Sequence, residues 1–206
     1  MLIYYILFSA WINFLSTIIT VKPTHKVILL INYSIWWIIA SYLEINYRIT
    51  GDDELFKAPT HFVIHFINVT YMYEMFFYRM DNAHKLHHIL SIILQQYSIT
   101  SGFINTGWHV RLASSGYTTF ITSVLSSSRD IVKYNYPNYN NLIRFSYKFF
   151  YIVFKLFGIN LYYQILHENY DKIVLTSSFI TFFIFYGMIQ LIQLYFIGRI
   201  IKSTCS

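Results

Sequence analysis

Seven runs of mostly apolar residues divide this chain, and they constrain its fold more than any other feature. They cover approximately residues 2–21, 27–45, 61–79, 86–104, 107–127, 146–166 and 173–197. Each run is close to the roughly 20 residues with which a helix crosses the apolar core of a bilayer. Inside lipid, every backbone polar group needs a partner within the protein, and a helix provides one. The sequence therefore predicts an all-α, polytopic transmembrane helix bundle of about seven spans, within a range of roughly six to eight.

The composition fits a single integral membrane domain over residues 1–206. Hydrophobic residues make up 56% of the chain and charged residues only 12%, far less charge than a soluble chain of this length carries. The connections between the runs are short and hold no further domain. The first run lacks a basic segment before it, so we interpret it as a retained helix. The fifth run is the weakest, because it is rich in Ser and Thr and contains Arg111.

The cysteine count and the distribution of basic residues disfavour several kinds of protein. The single cysteine, Cys205, excludes an intramolecular disulfide framework and a cysteine-based zinc site. The net charge of +6 comes from basic residues scattered between apolar runs, which does not indicate a nucleic-acid surface.

The basic residues also predict an orientation. Cytoplasmic loops carry an excess of Lys and Arg. An N-terminus on the outer (lumenal) side and a cytosolic C-terminus place three basic residues outside, namely Arg48, Lys57 and Lys172. The same orientation places ten on the cytosolic side: Lys22, Lys26, Arg79, Lys85, Arg129, Lys133, Arg144, Lys148, Arg199 and Lys202.

Four ionisable residues are predicted to meet near the cytosolic ends of their spans. Glu74 lies about five residues, or roughly 7 Å, inside the third span. His87 and His88 enter the fourth span from the same side, and Asp130 follows the fifth. A histidine beside a carboxylate is a competent general base near neutral pH, so these four are the candidate catalytic residues. The alternative is that the histidines are interfacial rings, which we expect for His84.

A di-iron centre is a weaker alternative. His61 and His65 form HxxxH, and His84, His87 and His88 form HxxHH. The first pair lies at the far end of the third span, about 14 residues or some 20 Å from the second group. No third cluster exists, so no metal site and no cofactor is predicted. Lys155, in the middle of the sixth span, is expected to face inward near Asn160.

The segment 71-YMYEMFFYR-79 followed by 87-HHILSI-92 resembles the TLC-domain family of membrane proteins. The shared features are an aromatic helix with an acidic residue, a His–His–x–x–Ser/Thr opening of the next helix, and a later helix that ends near an arginine, here Arg129. The resemblance covers about residues 25–197. It implies a bundle in the endoplasmic reticulum or another endomembrane, with a polar cavity for a lipid or acyl chain. Some members are ceramide synthases, in which the matching histidines act on the attacking amine and acyl-CoA is the co-substrate.

The chain departs from the ceramide synthase branch. No carboxylate lies between His88 and Asp130, where the synthases carry paired aspartates. The first hypothesis is therefore a protein of lipid synthesis or homeostasis, with His87 or His88 as the base of an acyl transfer. The second is a non-enzymatic membrane protein that affects lipid distribution or cargo. A di-iron lipid hydroxylase and a transporter rank lower. The expected partners are membrane lipids or acyl chains, and assembly with a second copy or another protein is left open.

Overall fold

The computed structural model describes residues 2–52, 57–78, 80–100, 120–171 and 179–205. These ranges fold into α-helices joined by short connections, with no strand among them, which confirms the predicted all-α class. The helices are α1 (Leu2–Ile18), α2 (Thr24–Thr50), α3 (Lys57–Phe77), α4 (Asn82–Thr100), α5 (Ile121–Asn135), α6 (Asn140–Glu168) and α7 (Phe179–Cys205). A single 3₁₀ turn, Pro137–Tyr139, separates α5 from α6.

Three of the described helices are long and apolar enough to cross a membrane, which is fewer than the seven spans predicted. They are Thr24–Thr50, Asn141–Glu168 and Ile184–Ser203. Much of the fifth predicted span, 107–127, lies outside the described residues, because α5 is described only from Ile121. Large apolar side chains such as Ile38, Ile45, Leu156 and Leu191 are exposed on these helices. Apolar outer faces are compatible with insertion into lipid.

Two helix ends show how local sequence sets the boundaries. Gly51 ends α2 with φ of +70°, a left-handed conformation that glycine adopts without strain, and its N–H donates to the Tyr47 carbonyl at 2.7 Å. Asp81 precedes α4, and its carboxylate accepts the backbone N–H of His84 at 2.9 Å. That bond satisfies one of the free N–H groups of the first turn of α4.

The seven helices pack in a closed ring. Going around it, α2 contacts α5, α5 contacts α6, α6 contacts α7, α7 contacts α4, and α4 contacts α3. Helix α1 closes the ring by packing against both α3 and α2. The largest buried cluster lies between α1, α2 and α3 and includes Phe8, Trp36, Ile64 and Ile67. The ring leaves an interior that the helices can line with polar groups.

Contacts between helix ends gather basic residues at one end of the ring, which we call the basic end. There Lys26 pairs with Asp130 at 3.0 Å, and Arg199 pairs with Asp81 at 2.5 Å. Two further basic residues lie there: the carbonyl of Lys22 accepts from Asn135, and Lys148 Nζ donates to the Ser203 carbonyl. Arg48 lies at the other end, 3.4 Å from Gln164 of α6. This grouping agrees with the two sides used to predict the orientation.

Candidate functional site

The ring of helices encloses a cavity of about 570 Å³. Helices α2 to α7 all contribute to its wall, and α1 is not among the described elements that do. Lys26, Arg129 and Arg199 lie at its basic end, while Leu94 and Tyr186 line its inner part. A volume of this size is typical of sites that hold small molecules or lipid chains.

Glu74 and His88 form a buried pair in this wall. His88 Nε2 lies 2.8 Å from Glu74 Oε2, between α3 and α4. Both residues are less than a tenth exposed. With Glu74 ionised, Nε2–H donates to the carboxylate and Nδ1 carries the free lone pair. The sequence predicts that Glu74 and His88 lie at matching depth, and the structure brings them into direct contact.

Aromatic side chains hold this pair in place. The ring of Tyr71 stacks on His88 with 4.1 Å between centroids, and Tyr33 lies next to Glu74. His88 Nδ1 is covered and has no hydrogen-bond partner among the described residues. An unpaired buried acceptor is costly, so a ligand hydroxyl or amine that reached Nδ1 would gain a hydrogen bond that the free protein lacks. A substrate group would reach it only after neighbouring side chains shift.

His87 also lines the cavity but makes different contacts. Its ring lies 5.7 Å from that of His88 and 6.3 Å from that of Phe196 on α7. Its Nδ1 is buried and, within the described part of the chain, has no hydrogen-bond partner. His87 therefore faces the cavity without a carboxylate to orient it, and His88 is the better oriented base of the two.

Asp130, the fourth predicted site residue, is not brought to the pair. Its carboxylate pairs with Lys26 Nζ at 3.0 Å and accepts from Arg129 Nε at 2.8 Å. It is not among the described residues that line the cavity. The reason is rotation around the axis of α5, since residue counting gives depth along a helix but not the direction in which a side chain points. Asp130 acts in this structure as a link between α5 and α2.

His84 lies at the basic end, as expected for an interfacial residue. Its Nδ1 is 2.8 Å from Asp81 Oδ1, and its ring stacks on Phe196 with 4.3 Å between centroids. Partial burial raises the pKa of Asp81, but the hydrogen bonds from Arg199 and from His84 outweigh it, and the net pKa of that carboxyl is held well below its usual range. Asp81 therefore stays ionised and ties α4 to α7.

The sequence predicts only part of how Lys155 is placed in the cavity. It faces inward as predicted and is 7% exposed, but Asn160 is exposed and does not accompany it. Its Nζ lies 5.6 Å from the centroid of the Tyr151 ring. The available signal was one lysine in an otherwise apolar helix, which usually marks a wet cavity or a functional site in membrane proteins.

Small hydroxyl side chains of α5 form the wall opposite the histidines. Thr122, Ser123, Ser126 and Ser127 line the cavity. The sequence shows that this run is rich in Ser and Thr, and the structure adds that these four side chains line the interior. Such small side chains leave room for a ligand while offering hydrogen bonds.

A second pocket of about 430 Å³ adjoins the cavity at the basic end. It shares Arg129, Tyr147, Ile200 and Ser203 with the main cavity. Its other described lining residues are all cations, namely Lys133, Arg144 and Lys148. A carboxylate is absent from its described lining, so this pocket, called the basic pocket below, favours anionic groups.

The histidine groups considered for a metal do not converge. His65 stacks on Tyr4 with 4.6 Å between centroids, whereas His84 stacks on Phe196. The side chain of His61 lies outside the described residues. Within the described ranges, no group of three His, Cys, Asp or Glu side chains has the arrangement of a metal site.

Comparison with known proteins finds no matching family model, no matching curated protein and no matching solved structure.

Proposed function

We propose that this chain is a multi-pass membrane protein of lipid metabolism that binds a lipid or acyl chain in its central cavity and uses His88 as the base of an acyl transfer. The observation that supports this proposal is the buried 2.8 Å contact between His88 and Glu74 in the cavity wall. The resemblance of residues 71–92 to the TLC-domain family points to the same function.

In the proposed reaction, His88 Nδ1 removes a proton from the hydroxyl or amine of the acceptor lipid. The freed lone pair attacks the acyl carbon, a new ester or amide bond forms, and the bond to the leaving group breaks. Glu74 holds the imidazole in one orientation and stabilises its protonated form. The proton then passes from His88 to the departing group, which returns the pair to its starting state.

Acyl-CoA is the proposed co-substrate, and the basic pocket is where its phosphates would bind. Lys133, Arg144 and Lys148 supply positive charge beside the mouth of the cavity. Phosphate groups favour such clusters of Lys and Arg. An acyl chain extending from there would enter the cavity past Arg129 and Ile200, which line both spaces.

The proposed setting is the endoplasmic reticulum or another endomembrane, with the basic end and the C-terminus in the cytosol. Three of the described helices are long and apolar enough to cross a membrane, which supports a multi-pass arrangement. A cytosolic basic end fits the preference of Lys and Arg for that side. It also directs the basic pocket toward the compartment that contains acyl-CoA.

One observation favours a second, non-enzymatic function. Asp130 is engaged by Lys26 and Arg129, so the cavity wall holds one described carboxylate near the histidines. A site with a single described carboxylate, in which His88 Nδ1 is covered, suits lipid binding as well as catalysis. In that case the protein would affect lipid distribution or cargo by holding a lipid.

Lipid profiles of membranes from expressing cells test the enzymatic proposal. The variants are His88→Gln and Glu74→Gln, with His167→Gln as the matched control because His167 is exposed on α6 and does not line the cavity. We expect one lipid class to rise with the wild type and the control, and to fall back with both site variants at equal protein levels.

Equal profiles for the wild type and His88→Gln, at equal accumulation, would contradict catalysis and favour the lipid-binding function. Measuring the amount of protein in the membrane separates these outcomes from a folding defect.

A further inference from the structure

Lys155 places an amine inside the cavity, and no described carboxylate contacts it. It is more than nine-tenths buried and lines the cavity from α6. Its Nζ lies 5.6 Å from the centroid of the Tyr151 ring. Among the described residues, no ion pair or hydrogen bond joins its Nζ to another group.

The described carboxylates near the cavity are already engaged by other groups. Near the cavity, Glu74 is bonded to His88, Asp81 to Arg199, and Asp130 to Lys26. The segment 101–119 lies outside the described residues and contains no Asp or Glu. Glu44, another described carboxylate, pairs with Arg48 near the end of α2.

Lys155 lies close to the level of the histidine pair. It follows Lys148, which contacts Ser203, by seven residues, and His87 follows Asp81, which contacts Arg199, by six. With a rise of about 1.5 Å per residue, these offsets place the two side chains within roughly one helical turn of each other.

Buried amide groups nearby cannot replace a counter-ion. The side-chain oxygens of Gln95 and Gln193 are buried and have no hydrogen-bond partner in the described ranges. Both residues line the cavity. Amide oxygens accept hydrogen bonds but do not neutralise a cation, and a buried charge without an opposite charge is strongly disfavoured. A ligand with one negative charge would remove that penalty.

The cavity wall around Lys155 indicates the chemistry of the rest of that ligand. Beyond Lys155 the wall continues through Leu94, Ile159, Tyr186 and Ile189, which are mostly apolar. Lys155 provides a single charge, which matches a monovalent head better than a divalent phosphate. We propose that Lys155 binds the carboxylate of a long-chain fatty acid whose alkyl chain occupies this inner part of the cavity. This inference goes beyond the proposed acyl transfer, since binding requires no chemistry at His88.

Binding of hexadecanoic acid and of hexadecanol to the purified full chain in detergent micelles tests the proposal. Both probes carry the same alkyl chain, and only the acid carries a negative charge at neutral pH. A charge-assisted contact predicts that the acid binds roughly tenfold tighter or more. Lys155→Met should abolish that preference, and Lys155→Arg should retain it. Lys85→Met, which removes an exposed cation of α4 that lines neither the cavity nor the basic pocket, is the matched control and should also retain it.

Equal affinity of the wild-type chain for the acid and the alcohol would overturn the proposal without the need for any variant. An unchanged preference in Lys155→Met would overturn it as well. His88→Gln separates this proposal from the previous one: it should lose lipid synthesis while it keeps the preference for the acid.

Discussion

His88 Nε2 and Glu74 Oε2 lie 2.8 Å apart across the interface of α3 and α4, and both side chains are buried. The contact joins residues 14 positions apart in the sequence, on the two sides of the connection between α3 and α4. It therefore fixes the depth and rotation of α4 relative to α3. The same contact sets the tautomer of the imidazole on which the proposed chemistry depends.

A double-mutant cycle on this contact should give a coupling free energy of about 1.5–3 kcal/mol, the range for hydrogen bonds to charged groups. The variants are Glu74→Leu, His88→Phe and the double variant, and the measurement is unfolding in detergent. Phenylalanine retains the stacking on Tyr71. A control cycle between Glu74 and His84 should give a coupling free energy below about 0.5 kcal/mol, because these two residues share no contact. Comparable coupling in both cycles would contradict the pairing.

Gly51→Ala should destabilise the chain by about 1 kcal/mol through the backbone alone. Gly51 has φ of +70°, and a Cβ added there would meet nothing within 4 Å. The cost therefore comes from the left-handed conformation and not from a clash. Thermal unfolding should show a lower melting temperature for Gly51→Ala and a smaller decrease for Gly51→Asn, since asparagine tolerates that conformation better. An unchanged melting temperature would show that α2 does not end in this way.

Asp81 should contribute to stability in a pH-dependent manner. Its folded-state pKa lies below the usual value, because the hydrogen bonds from Arg199 and His84 outweigh partial burial. A depressed folded pKa stabilises the fold above the unfolded pKa of about 3.9, and the stabilisation is lost as the pH falls through the lower folded value. The difference in melting temperature between the wild type and Asp81→Asn should therefore shrink below about pH 4. A difference in melting temperature that grows as the pH falls would contradict the lowered pKa of Asp81.

The single cysteine permits a direct test of orientation. Cys205 ends α7 next to Ser203, which contacts Lys148 at the basic end. In sealed vesicles of known orientation, a membrane-impermeant thiol reagent should label it only from the cytosolic side. The variant Thr50→Cys/Cys205→Ser moves the thiol to the end of α2, beside Gly51, and should be labelled only from the opposite side. Labelling of both from one side would refute the proposed topology.

The sequence predicted the parts of this structure that depend on position along a helix. Apolar runs of about 20 residues indicated where helices form. Counting residues from the ends of two runs placed Glu74 and His88 at one depth, and the structure brings them into contact. Depth follows from the constant rise per residue, so it can be read without knowing how the helices pack.

The features that the sequence could not predict depend on how each helix is rotated in the ring. Asp130 contacts Lys26 of α2 and is not among the described residues that line the cavity. Lys155 was expected to face inward, but the sequence could not show that the described carboxylates near the cavity are engaged elsewhere. The Ser and Thr residues of α5 line the cavity for the same reason. Rotation is set by tertiary packing, which a pattern of apolar residues specifies only approximately.

Native mass spectrometry of the purified chain, after mild removal of detergent, tests most directly whether the cavity holds a lipid. The comparison is between the wild type, Ser123→Leu and Ser16→Leu. Ser123 lines the cavity, whereas Ser16 is exposed on α1 and serves as a control for the same substitution. We predict that the wild type and Ser16→Leu retain a bound lipid and that Ser123→Leu loses it. Retention of the same lipid by Ser123→Leu, or its absence from the wild type, would contradict the account.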